Sequence, residues 1–267
     1  MKKRYLTILY ILLVLLFFGG TIWTLQFSHR IHAQRVCENV RISIDNSNAD
    51  VFVTEDEIVE HLLASQLHPK GLPISLNTYA VESFLAQNSA IQDVDVFVQL
   101  SGEVDIDIVQ RQPIVRIENA QRQQFYIGSD GCLMATNPKH TSRLIVANGY
   151  IAEPFIPNQN VQEPTADDVL PAPILNRIYQ LATHIRNSEF LNTWIEQIYI
   201  NAKHEFELVP KIGRHIILMG DAENYQDQFK RLEQFYTYGI QKAGWDAYRI
   251  INLKYNNQVV CTKTQSI

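Results

Sequence analysis

Three kinds of hydrophobic pattern follow one another along the chain. From Tyr5 to Leu25 the run YLTILYILLVLLFFGGTIWTL is apolar without interruption for 21 residues. At ~1.5 Å per residue a helix of that length spans ~30 Å, the hydrocarbon thickness of a bilayer. Between Val36 and Arg111, strand-like alternation and short helical stripes exchange places. From Gln112 onward, short apolar runs of strand type surround two longer stripes of helical spacing.

The first pattern predicts an uncleaved membrane anchor. A cleaved signal peptide also starts with a basic head, but its apolar region is normally ~7–15 residues and ends at a small-x-small site. Ile31-His32-Ala33 offers no such site. Residues 1–4 form the cytoplasmic head and 5–25 the transmembrane helix. Lys2, Lys3 and Arg4 keep the N-terminus inside, while Tyr5, Tyr10 and Trp23 suit the interfacial belts. The remaining residues, about 240, then lie across the membrane.

The second pattern, 36–111, predicts one small α+β unit. Val40, Ile42 and Ile44 alternate with Arg41 and Ser43 in a strand from Val36 to Ile44. Thr54-Glu55-Asp56-Glu57 then makes a capping box, with Val53 and Ile58 at the positions of a hydrophobic staple. That helix carries Ile58, Leu62 and Leu63, with Gly71 beyond its end. A second helix, Thr78 to Asn88, has Val81, Phe84 and Leu85 as its apolar face and Glu82 in its first turn. The period then changes to two. Val94, Val96, Val98 and Leu100 alternate with Asp95, Phe97 and Gln99, Ser101-Gly102 turns, and Val104, Ile106 and Ile108 alternate with Asp105 and Asp107, whose carboxylates mark a solvated face. Strand, helix, helix, strand, turn, strand directly after a membrane span resembles a POTRA domain, the polypeptide-transport-associated module of bacterial envelopes. Physically it is a three-stranded sheet covered by two helices.

The third region, 112–267, predicts a larger mixed β-sheet domain with two helices. Its strands are Val115–Glu118, Phe125–Ile127, Leu144–Val146, Gln197–Asn201, Glu205–Val209, His215–Met219, Tyr248–Leu253 and Gln258–Lys263. Its helices run from Ile174 to Asn187, and from near Asp221 or Asn224 to Gly244 along Tyr225, Phe229, Leu232, Tyr236, Ile240 and Ala243. Between residues 152 and 173 lie five of the ten prolines among Asn, Gln, Glu and Asp, which predicts a long exposed loop.

Charge and cysteine usage narrow the partners. The chain carries −5, and −8 once the three basic residues of the head are set aside, which argues against nucleic acid or anionic lipid as partner of the ectodomain. Cys37, Cys132 and Cys261 are far apart and lack the close pairs of zinc or thiol-redox sites. They are expected as unpaired, partly buried residues.

The residue patterns that could carry chemistry have structural explanations. His29 and His32 are three apart without an HExxH context. Gly128-Ser129-Asp130-Gly131 fails the nucleophile-elbow pattern and reads as a turn. Thr136-Asn137-Pro138-Lys139 lacks the serine of a Ser-x-x-Lys signature, and Pro138 would break its helix. Glu55, Asp56 and Glu57 belong to a helix start. No glycine-rich phosphate loop is visible. The expectation is a non-enzymatic protein with no cofactor and no metal.

Gln110-Arg111-Gln112-Pro113 closing the POTRA-like unit, Tyr126-Ile127 before the Asp130-Gly131 turn, the late amphipathic helix, and Ile251-Asn252-Leu253-Lys254-Tyr255-Asn256-Asn257-Gln258-Val259-Val260 occur here in one order behind a single span. Together they resemble the bacterial cell-division family FtsQ, called DivIB in Gram-positive bacteria. The four-residue head is shorter than many members carry, and the proline-rich stretch looks like an insertion.

The resemblance implies a bitopic division scaffold in the cytoplasmic (inner) membrane at the septum, holding FtsB-like and FtsL-like partners on its outer side. Carried onto matching positions, it implies a partner surface of Lys254, Tyr255, Asn257, Val259, Cys261 and Lys263. Strand addition to a terminal edge is the physical route. Two other readings stay open: another POTRA-type envelope protein that handles polypeptides, and a membrane-anchored envelope hydrolase.

Overall fold

The structure, a computed structural model, describes residues 16–17, 19–20, 36–45, 51–72, 77–99, 101–139, 142–163 and 174–264. Nearly all of the expected span 5–25 lies outside these residues, and only Leu16, Phe17, Gly19 and Gly20 are seen as helical there. Among the described residues no helix is long and apolar enough to cross a membrane.

The chain divides into two units. The first contains β1 (Val40–Asp45), α1 (Glu55–Ala64), α2 (Thr78–Leu85) and most of β2 (Ile91–Val98) and β3 (Val104–Gln110). Its three-stranded sheet has the order β1-β3-β2. Helix α1 starts where the capping box places it, with the Glu57 amide donating to Thr54 Oγ1 at 3.4 Å. Ile58 and Leu62 of that helix are buried, whereas Leu63 is exposed. Val81, Leu85, Val94, Val96, Val104, Ile106 and Ile108 complete the core.

Two polar expectations in this unit are overturned. Helix α2 is capped by Asn77, and Glu82 lies beyond its first turn. The Glu82 carboxylate instead accepts from the Val96 amide at 3.0 Å, tying helix to strand. Asp105 is buried rather than solvated and takes a hydrogen bond from the Gln99 side chain. Asp107, two residues on, is exposed as expected, so the face is solvated except where Gln99 covers Asp105.

The second unit is built on a nine-stranded sheet. Its elements are β4 (Pro113–Glu118), β5 (Gln124–Gly128), β6 (Leu133–Ala135), β7 (Ile145–Gly149), α3 (Ile174–Asn187), α4 (Glu189–Trp194), β8 (Ile195–Ile200), β9 (Phe206–Pro210), β10 (Ile216–Gly220), α5 (Tyr225–Gln234), a π-helical turn (Phe235–Ile240), α6 (Gln241–Ala243), β11 (Tyr248–Asn252) and β12 (Val260–Lys263). Spatial order is β12-β11-β10-β9-β8-β7-β4-β5-β6. The neighbours β4/β7, β7/β8 and β10/β11 are parallel and the rest antiparallel, so the sheet is mixed.

The parallel pairs explain the helices, because a parallel connection needs a crossover long enough to return the chain. Helices α3 and α4 lie between β7 and β8, and α5 through α6 between β10 and β11. The apolar stripes of both crossovers join the core, through Ile178, Leu181 and Ile185 on one side and Phe229, Leu232, Tyr236 and Ile240 on the other. Gly149 ends β7 at φ +104, where a Cβ would stand 2.2 Å from the Ile200 carbonyl oxygen, so a larger residue cannot lie there without moving β8.

The described half of the proline-rich stretch is a loop, as expected, but only partly exposed: Ala152, Pro154, Ile156, Pro157, Gln162 and Glu163 face solvent and the others pack inward. Its residues 158–161 pair with the start of β6 and the turn before it: the Asn158 amide donates to the Leu133 carbonyl at 3.1 Å and the Val161 amide to the Gly131 carbonyl at 2.9 Å. Phe155 stacks on Phe125 with 5.3 Å between centroids, and Val161 is buried. Proline removes one donor per residue but leaves the others free to bond, and two prolines in this half still allow docking. Residues 164–173 lie outside the described set. The three cysteines are free thiols, with burial pushing each pKa up.

Candidate functional site

The last two strands form a hairpin at one border of the nine-stranded sheet. β12 pairs antiparallel with β11 through Ile250–Thr262, Ile251–Cys261 and Asn252–Val260, with a register shift between Tyr248 and Ile250. Among the described residues no strand pairs with the other side of β12. It therefore presents unused main-chain donors and acceptors.

Which residues present them follows from alternation. The Leu253 amide bonds the Leu218 carbonyl of β10 at 2.9 Å, so the neighbouring Asn252 directs its main-chain groups to β12. At the other end the Thr264 amide bonds the Ala247 carbonyl at 3.0 Å. Val260, Thr262 and Thr264 thus spend their main-chain groups on the hairpin, and Cys261 and Lys263 turn theirs outward.

The turn between the strands is held from below by one side chain. Arg231 of α5 donates through Nη1 to the carbonyls of Tyr255 at 2.7 Å and Gln258 at 2.6 Å, and through Nη2 to that of Leu253 at 3.2 Å. Its Nε is paired with Asp227 one helical turn earlier at 2.8 Å. Beside it, buried Gln228 gives its amide to the carbonyls of Met219 at 2.8 Å and Leu253 at 3.3 Å. Five donors in a rigid fork suit Arg231 to collecting several carbonyls at once. Asn257 takes the left-handed conformation, φ +58, that closes the turn.

The six positions assigned from the sequence fall into two sets. Lys254, Tyr255, Asn257 and Lys263 are exposed, and Tyr255 is 51% accessible. Lys254 reaches Glu205 at 2.6 Å, and its hydrogen bond holds the Glu205 carboxyl below the usual range. Val259 and Cys261 instead turn their side chains inward, half-buried against the core. The exposed apolar side chain of this strand is Val260, 41% accessible. A strand's faces swap with a shift of one residue, and a short terminal strand gives no second pattern to fix its register. Cys261 remains at the border through its main chain.

Arg231 and Gln228 were not legible as site residues. Asp227 and Arg231, four apart, read as an ordinary solvated helix pair, and only the fold brings the hairpin turn over them. Among the described residues no group of three or more His, Cys, Asp or Glu is placed to hold a metal ion.

Two family models match the chain. One, described as POTRA-like domain, covers residues 35–109. The other, described as FtsQ/DivIB, C-terminal related, covers residues 112–262, more than half of the chain, and includes every assigned position except Lys263. No curated protein matches.

Proposed function

Since this chain belongs to the FtsQ/DivIB family, we propose that it holds FtsB-like and FtsL-like division proteins by adding a partner strand to the outer border of β12. The family is one of non-enzymatic cell-division scaffolds working with other division proteins at the division-site membrane. The observation that carries the strand-addition reading is the side of β12 left unpaired among the described residues, next to a turn whose backbone Arg231 fixes. A pre-ordered border reduces the ordering cost that a partner must offset on binding.

In this reading Cys261 and Lys263 offer main-chain hydrogen bonds, and Tyr255, Asn257, Val260 and Lys254 supply selectivity around them. Val259 supports the strand from beneath. The chain sits in the cytoplasmic membrane through residues 5–25, with its head inside and both units outside.

The test is capture of FtsB-like and FtsL-like proteins by the full-length chain from its native membrane, with Tyr255→Glu beside the unchanged chain. A carboxylate at a contact that loses water on binding is costly, so capture should fall while the melting temperature stays within a few degrees. Undiminished capture by a folded Tyr255→Glu protein would sink the terminal-border mechanism and leave family membership intact.

A further inference from the structure

A second concave site lies in the nine-stranded unit, away from β12. It is a cleft of about 640 Å³, within the ~300–1,000 Å³ range of ligand sites. Its apolar lining includes Ile114 of β4, Ile185 of α3 and Ile195 of β8, all buried. Three cations enter it from separate places in the fold: Arg143 just before β7, Arg186 in the last turn of α3, and Lys211 directly after β9.

Among the described residues none of these cations has a carboxylate within ion-pairing distance, unlike Arg111, Arg231 and Lys254. Lys211 Nζ donates to the Asn192 carbonyl at 2.7 Å, and Arg186 reaches the Pro113 carbonyl only at 3.5 Å. A neutral carbonyl uses one donor and leaves the charge uncompensated, with two further N–H groups on the lysine and four on the arginine. On a chain of net charge −5, three unneutralised cations around an apolar lining form a local positive field over a hydrophobic surface.

We propose that this cleft binds an acidic segment of a partner polypeptide, its carboxylates on Arg143, Arg186 and Lys211 and an intervening apolar side chain against Ile114, Ile185 and Ile195. Guanidinium forks match carboxylates in paired hydrogen bonds. The acidic remainder of the molecule and Glu196, which lines the same cleft, disfavour a long uniform polyanion such as nucleic acid or an anionic lipid face. A bare inorganic anion would leave the apolar lining unused. This site is separate from the β12 border and does not depend on it.

The test uses the purified full-length chain in detergent micelles at low salt and a fluorescein-labelled peptide of sequence Glu-Leu-Glu-Leu-Glu with blocked ends, read by fluorescence anisotropy. Binding should saturate, weaken with salt, and be lost when glutamine replaces glutamate in the peptide. Arg143→Ala and Arg186→Ala should each weaken it roughly tenfold, the scale of one charged hydrogen bond. Lys230→Ala, on an exposed part of α5, and Tyr255→Glu should leave it unchanged. Because the cleft cations are exposed, the variants should fold, and their melting temperatures check that they do. Equal binding of the glutamine peptide, or unchanged binding by folded Arg143→Glu/Arg186→Glu protein, overturns the proposal. Displacement of the peptide by inorganic phosphate but not by glutarate assigns the cleft to a simple anion and overturns it as well. None of these results bears on the β12 border.

Discussion

At the scale of single residues, the groups that matter most here are buried and polar. Arg111 is 5% exposed, yet its guanidinium reaches Asp130 at 2.9 Å, the Asn158 side chain at 2.9 Å and the Ser89 carbonyl. The arginine of the Gln-Arg-Gln-Pro stretch thus gathers three distant segments of the second unit. Arg111→Ala should cost ~3 kcal/mol, the scale for removing one member of a buried pair, and Arg111→Lys should recover little, lacking the planar fork. Chemical denaturation checks both. His215 is 1% exposed, with Nε2 2.6 Å from the Tyr236 hydroxyl. Burial lowers its pKa, with the Trp245 backbone and Asp246 offsetting part of the effect. The unfolded chain therefore takes up a proton near pH 6.5 that the folded chain resists, and stability falls as pH drops from about 7 to 5, by at most ~1.4 kcal/mol per pH unit from this group. In His215→Gln that slope should flatten, as denaturation across this pH range would show. An unchanged slope would assign the dependence to other groups.

At the scale of elements, the direction of main-chain groups along β12 makes two neighbouring prolines distinguishable. Val260 donates into the hairpin, so Val260→Pro should break the native ladder and lower the melting temperature. Lys263 is exposed and directs its amide outward, so Lys263→Pro should leave melting nearly unchanged and reduce partner capture. If both variants melt alike and capture alike, the deduced alternation is wrong. The same scale shows what the sequence discloses and what it hides. The Thr54 cap, the helix from Ile174 to Asn187 and the strand pair around Ser101-Gly102 announce themselves, because local hydrogen bonding and a clear period act within a few residues. β6 is three residues long and has no period to read. α4 runs directly into β8 without a polar break, and its Ser188 cap, donated to by the Leu191 amide, gives only a weak local sign. The π-helical turn is likewise hidden: Leu232, Tyr236 and Ile240 are spaced by four, a row that a wider turn keeps buried on one side. At the candidate site, the strands Tyr248–Leu253 and Gln258–Lys263 were readable. The inward turn of Val259 and Cys261 and the role of Arg231 were not, since they depend on contacts between segments far apart in sequence.

At the scale of the whole molecule, the order of parts carries the functional reading: a basic head and apolar run, a POTRA-like unit, then a mixed sheet whose β12 border is unpaired among the described residues. The proposed orientation makes a direct prediction. Alkaline phosphatase fused after Lys263 should be active, because that enzyme folds only outside the cytoplasm, and a green fluorescent fusion at the same place should be dark when exported unfolded. The opposite pair of results would reverse the topology. Finding a mature N-terminus near Ala33 would remove the anchor.

The Arg231 clasp has a consequence for how such a surface changes over generations. It grips the carbonyls of residues 253, 255 and 258, and every amino acid carries a carbonyl. The shape of the turn is therefore largely indifferent to which side chains stand at 254, 255 and 256. Substitutions there alter what the turn displays while its backbone stays in place, much as a mounted frame accepts different inserts. Under the proposed strand-addition reading, a lineage re-tunes its partner surface one exposed residue at a time without having to re-solve the fold.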